Sequence, residues 1–125
     1  MIKLTPAEEQ VMRYLWQLER AFFKELKAQY PEPQPATTTI NTLLKRLIDK
    51  GFVNYKTYGN SREYTPLVSR NQYFSRHISG LIHDYFGNSI EKFGSFFTKE
   101  VALSESDLQK LKDLIDHQLK DRKDD

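Results

Sequence analysis

Ala36-Thr-Thr-Thr-Ile-Asn-Thr-Leu-Leu-Lys-Arg-Leu-Ile-Asp-Lys-Gly51 is the stretch on which the fold turns. Ile40, Leu43, Leu44, Leu47 and Ile48 recur at i, i+3, i+4, i+7 and i+8, the apolar stripe of an amphipathic helix over 36–50. Gly51 supplies the left-handed residue that stops it, and Lys50 stands ready to meet the negative end of its dipole. The opposite face carries Thr38, Thr39, Asn41, Thr42, Lys45 and Arg46, with no acid before Asp49. An ordinary surface helix mixes Glu with Lys. Hydroxyl and amide groups can instead donate, accept and touch a thymine methyl, which suits a helix laid in a major groove. A core helix with an arbitrary polar side would explain the stripe equally well, and the flanking segments weigh against it.

Working outward, Phe52-Val-Asn-Tyr-Lys-Thr-Tyr58 is rich in β-branched and aromatic residues and reads as a strand. Gly59-Asn60-Ser61 is turn chemistry, and Arg62-Glu-Tyr-Thr-Pro-Leu67 is the returning strand, with Pro66 placing its end at a sheet edge. Upstream, Thr5-Pro6-Ala7-Glu8 opens a helix with a cap, a proline at its first position and a capping-box glutamate. Val11, Met12, Leu15, Trp16 and Leu18 give its buried face. After a break at Glu19–Ala21, a second helix runs from Phe22 to Tyr30, with Phe22, Phe23, Leu26 and Tyr30 on one side. Pro31, Pro33 and Pro35 make the spacer that follows extended. Three helices and a two-stranded hairpin are the winged helix-turn-helix, assigned to residues 1–69, with Asn60 and Arg62 near the tip of the wing.

Residues 70–125 have a different character. Tyr73, Phe74, His77, Ile78, Leu81, Ile82, Tyr85 and Phe86 form a wide helical stripe. Asn88-Ser-Ile-Glu91 caps a helix carrying Ile90, Phe93, Phe96 and Phe97. Ser104-Glu-Ser-Asp107 caps a last one, with Leu108, Leu111, Leu114, Ile115 and Leu119 on its apolar side and a charged, frayed tail over 120–125. Three short helices cannot bury that much apolar surface among themselves, so a second copy of the chain is the expected cover. Phe74, Ile78, Leu81, Ile82, Tyr85, Phe86, Phe93, Leu111 and Ile115 are the expected dimerisation residues, some of them intrachain core. The fold class is mainly α with a small β component.

Composition narrows the function. The 125 residues lack cysteine, which fits a reducing cytoplasm and excludes disulfides and thiolate metal sites. No apolar run approaches the length of a membrane span, and the N-terminus lacks the apolar core of a signal peptide. Residues 1–70 hold 11 Lys and Arg against 7 Asp and Glu, whereas residues 71–125 hold 8 against 10, so only the front is suited to a polyanion. His77, His83 and His117 have no ligand spacing, the five glycines are scattered singly, and no nucleophile motif is present. No metal, no cofactor and no enzymatic activity are therefore expected. The alternative is a winged-helix protein-interaction module, which would more often present acids or exposed aromatics on the 36–50 face.

Two longer motifs carry a resemblance. Leu4-Thr-Pro-Ala-Glu-Glu-Gln-Val-Met-Arg-Tyr-Leu-Trp16 is followed, at the right distance, by Thr39-Ile-Asn-Thr-Leu-Leu-Lys-Arg-Leu-Ile-Asp-Lys-Gly-Phe52. With Tyr64-Thr-Pro-Leu-Val-Ser69 and Leu103-Ser-Glu-Ser-Asp-Leu-Gln-Lys-Leu111, they make the chain resemble the penicillinase-repressor family nearly end to end. The resemblance implies a cytoplasmic repressor that binds a dyad operator in double-stranded DNA as a homodimer. On that reading Thr38, Thr39, Asn41 and Thr42 face base edges, Asn41 pairing with adenine, and Thr37 belongs to the same DNA-binding face. Lys45, Arg46 and Arg62 hold phosphates, and Asn60 sits at the wing tip. The resemblance also implies release by proteolysis triggered by a membrane sensor-protease. Counting back from Leu103-Ser104 puts the corresponding bond between Phe96 and Phe97. Copper-responsive control through a Cys-rich tail is out, and the triple threonine brings no basic residue to the first turn of the reading helix.

Overall fold

The computed structural model describes residues 3–124. The first helix, α1 (Pro6–Leu18), starts as expected: Thr5 Oγ1 accepts from the Glu8 N–H at 3.2 Å, and Glu8 Oε1 accepts from the Thr5 N–H at 2.8 Å. Glu19, in the left-handed region at φ 70°, ends it and turns the chain into β1 (Ala21–Phe22). Then come α2 (Phe23–Ala28), α3 (Thr37–Asp49), β2 (Val53–Tyr58) and β3 (Ser61–Pro66). Gly51 takes φ 80°, the conformation the sequence required of it.

The sheet has three antiparallel strands in the order β1-β3-β2, not the two expected. Ala21 pairs with Tyr64 and Phe22 with Glu63, so the second helix begins at Phe23. A two-residue strand is too short to show an alternating pattern, which is why it was illegible. β3 is thus the central strand at Glu63 and Tyr64, while its end at Pro66, beyond the reach of β1, lies at a sheet edge as expected. Leu67 N–H bonds to Phe52 O, which makes Val53–Pro66 a non-hydrogen-bonded pair. The Pro66 nitrogen, which lacks an N–H, therefore points away from β2 to the side of β3 that β1 occupies only at Glu63 and Tyr64, and no ladder bond is lost there.

Val11, Met12 and Leu15 of α1, Leu26 of α2, and Ile40, Leu43, Leu44 and Leu47 of α3 form the core with Val53 and Tyr64 of the sheet. Each such side chain contributes about 1.5–3 kcal/mol by leaving water. Trp16 and Leu18 are only partly buried against it, and the Trp16 indole N–H donates to Val68 O at 2.8 Å.

Two polar features tie this core to its ends. Lys50 does not serve the dipole of α3, as expected from its position. Its ammonium bonds both oxygens of the fully buried Glu8, at 2.7 and 2.8 Å. Burial pushes the Glu8 carboxyl up, but Lys50 and the N–H and hydroxyl of Thr5 outweigh it, and the net shift is downward. The second feature is Tyr73, in the first turns of α4 (Arg70–Phe86). It is fully buried, its ring packing near Trp16 and Phe52. Its hydroxyl donates to Glu9 and accepts from the Leu4 N–H at 3.4 Å. Burial first, and then donation to the Glu9 carboxylate, push the phenol up to about 12.

The chain forms two compact units, residues up to Ile78 and residues from Ser79. The division falls inside α4, C-terminal to the boundary expected after Ser69, and Tyr73 is what carries the start of α4 into the winged unit. In the second unit the rest of α4 is followed by α5 (Ile90–Glu100) and α6 (Glu105–Asp124). Ser89 caps α5 by accepting from Lys92 N–H. Ser104 and Asp107 exchange both bonds of a capping box at 3.0 and 3.1 Å, as the sequence indicated. The expected frayed tail is helical through Asp124, while Asp125 lies outside the described residues. Phe86 packs on Phe93 and Phe96, and Phe93 stacks on Phe97, yet no residue of α5 or α6 is fully buried.

Candidate nucleic-acid interface

Because Ile40, Leu43, Leu44 and Leu47 are fixed in the core, the outer face of α3 is determined: Thr37, Thr38, Thr39, Asn41, Thr42, Lys45 and Arg46 are all exposed. The core packing of one stripe presents the other as a row. Asn41 and Lys45 line a cleft with Asn60 and Arg62 of the β2–β3 hairpin, and Tyr55 and Tyr64 form part of its wall. Thr38, Thr39, Thr42 and Arg46 lie on the open side of α3, outside that cleft. The cleft is not uniformly basic, since Glu25 and Asp49 also line it. Glu25 is occupied, accepting from the Phe22 N–H at 2.9 Å.

The threonines are not equivalent. Thr42 donates its hydroxyl to Thr38 O at 2.9 Å, so its hydrogen is spent and its methyl is the group left to offer. Thr37 accepts from the Lys27 ammonium at 3.1 Å. Lys27 comes from α2 and brings to the first turn of α3 the positive charge that the triple threonine lacks. Local spacing could not reveal it, because the two residues are ten apart across the proline spacer. Among the described residues, Lys27, Lys45, Arg46 and Arg62 enter no ion pair; the i,i+3 pair of Arg46 with Asp49 does not form.

A family model for penicillinase repressors matches residues 4–117. The chain belongs to the penicillinase repressor family. It is a transcriptional repressor, and its not being an enzyme follows from that membership. The penicillinase repressor of Bacillus licheniformis is 23% identical over 115 residues, covering 91% of this chain and 90% of that one. A 16.5 kDa protein of Latilactobacillus sakei, from the ptsI 3′ region, is 25% identical over 114 residues, covering 90% of this chain and 78% of that one. Among solved structures, the DNA-binding domain of the repressor BlaI superposes with a TM-score of 0.51 at 29% identity, covering 57% of this chain and 88% of that one. This repressor therefore has the winged-helix fold.

The remaining expected residues lie in α4, α5 and α6. Phe74, Ile78, Leu81 and Tyr85 follow one exposed stripe of α4, while Ile82 and Phe86 are half-buried beside it. Phe74 also packs near Trp16 and Tyr73 within the winged unit. Phe93 and Leu111 are half-buried and Ile115 is exposed. Phe96 and Phe97 sit inside α5, Phe96 exposed and Phe97 half-buried. Among the described residues no group of three or more His, Asp or Glu is arranged to hold a metal, and no helix is long and apolar enough to cross a membrane.

Proposed function

We propose that this repressor acts in the cytoplasm as a homodimer on a dyad operator in double-stranded DNA, reading bases with α3 and holding the backbone with the wing. The observation that carries this is the outer face of α3, short polar side chains and two free cations in one exposed row beside Arg62. Thr38, Thr39, Asn41 and Thr42 face base edges, Asn41 making the paired contact to adenine and Thr42 offering its methyl to thymine. Lys45, Arg46 and Arg62 take phosphates, Asn60 follows the backbone at the wing tip, and Lys27 joins them through the Thr37 turn. The likeness to the DNA-binding domain of the repressor BlaI supports the choice of partner. Winged helices contact half a site each, and the apolar stripes of α4 and α6, left open in the single chain, support a second copy as the link between halves.

Footprinting on host genomic DNA is the deciding experiment: a protected dyad is expected, and no protected dyad at any salt would sink the reading. Proteolysis by a sensor-protease in the membrane is the proposed end of repression, with Phe96–Phe97 as its bond. A protease needs an extended chain, so α5 must unwind for that cut. Induction with cell-wall antibiotics followed by mass mapping should then yield a fragment ending at Phe96; an intact chain leaving its operator would refute the route.

A further inference from the structure

Tyr55 has no assigned part in the reading above, yet its position is informative. It stands opposite Tyr64, and Thr57 stands opposite Arg62, so Tyr55 and Arg62 are diagonal neighbours on one face of the hairpin. That face is the one turned to the core, because Tyr64 and Val53 on it are buried. The Arg62 guanidinium lies over the Tyr55 ring, 4.2 Å from its centroid. Tyr55 in turn packs on Tyr64, with ring centroids 6.0 Å apart. An otherwise free arginine is therefore connected to the core by two aromatic rings.

We infer that Tyr55 is a positioning residue for DNA binding: it holds the Arg62 guanidinium at the cleft beside Asn41 and Lys45 before DNA arrives. This rests on the proposed DNA-binding function. Stacking uses the flat face of the guanidinium and leaves its N–H donors, which lie in the plane, free for phosphate oxygens. A contact made through an already ordered side chain gives up less rotamer freedom on binding. Lysine at 62 would keep the charge and lose the plane.

The test is a double-mutant cycle on the full chain, binding sonicated double-stranded DNA at low salt, which requires no knowledge of the operator. Tyr55→Leu and Tyr55→Thr both remove the ring while suiting a strand, so failure of one to fold leaves the other. Either should weaken binding about three- to tenfold, and Tyr55→Phe should restore it. In an Arg62→Ala background the same changes should have no further effect. In the free protein, the Arg62 Nε–H should show restricted motion by NMR relaxation that is lost in Tyr55→Leu or Tyr55→Thr and kept in Tyr55→Phe. Equal losses in both backgrounds, or an Arg62 side chain equally mobile with and without the ring, would overturn the positioning role alone. Failure of the wild-type chain to bind any DNA would overturn it together with the function on which it rests.

Discussion

Helices α3 and α6 carry leucine and isoleucine at nearly the same spacing and meet opposite fates. On α3, Ile40, Leu44 and Leu47 are at most 1% exposed. On α6, Leu114, Ile115 and Leu119 remain 52–62% exposed. An apolar stripe therefore says that a face wants cover, not where the cover comes from. For α3 it comes from α1 and the sheet of the same chain, and the winged unit is closed. In the C-terminal unit, the aromatic contacts of Phe86, Phe93, Phe96 and Phe97 leave no side chain of α5 or α6 out of water, and that unit is open.

The largest effect should come from moving the end of the closed unit. A fragment of residues 1–78 should unfold in urea as a single, concentration-independent transition. One ending after Ser69 loses Tyr73 and should be about 3–5 kcal/mol less stable, the scale of an aromatic removed from a core. Equal stability of the two fragments would show that the winged unit closes without α4. Next comes Lys50→Ala, which leaves Glu8 buried without its partner and should cost about 3 kcal/mol at neutral pH. The sign with pH follows from the lowered carboxyl. In the wild type the contribution is full above the ordinary value of 4.5 and is lost as pH falls through the lowered one. Without Lys50 the carboxyl loses the partner that most lowers it and titrates higher than in the wild type, so the penalty of the substitution should shrink on acidification. Urea midpoints across the carboxylate range would check both.

A smaller effect is expected from the open unit. In the full chain, Ile115→Ala should leave the unfolding of the winged unit unchanged and raise the dimer dissociation constant about tenfold, equivalent to about 1.4 kcal/mol; sedimentation would measure it. A full-length chain that stays monomeric at micromolar concentration would break the comparison, since the open stripes would then have no second copy to cover them. Smallest of all is Thr42→Val. It keeps the methyl and removes a hydroxyl already committed to Thr38 O, so stability should stay within about 0.5 kcal/mol and operator affinity nearly unchanged. Thr42→Ser, which keeps the hydroxyl and removes the methyl, should be the variant that loses affinity at thymine positions.

The features legible in the sequence were those whose signal is local. Thr5 and Glu8, Ser104 and Asp107, the α3 stripe, Gly51 and the Gly59–Asn60 turn each lie within a few residues of what they determine. The closed unit also depends on pairings that leave no period to read. Nothing near Lys50 points to a carboxylate at position 8, and nothing near Tyr73 separates it from the stripe of Phe74 and Ile78. β1 is two residues long, and Lys27 reaches Thr37 only because the proline spacer returns the chain. On the proposed interface, the row of exposed α3 side chains follows from periodicity alone. What each can still donate, as with Thr42, follows only from its hydrogen bonds.

The Tyr73 hydroxyl meets Leu4 N–H and the Glu9 carboxylate, partners that lie 69 and 64 residues earlier. The Lys50–Glu8 pair spans 42. Both contacts finish at the start of α1, so a helix made early in this unit is among its last parts to be secured. Domains are completed as synthesis proceeds, and this one cannot be complete when the wing has emerged. It must wait for the first turns of α4. A nascent chain paused after Ser69 would hold α3 on an unfinished scaffold, and one a few residues longer would hold it on a finished one. The same helix that closes the first unit then runs on into the second, so the chain completes one unit in the act of starting the next.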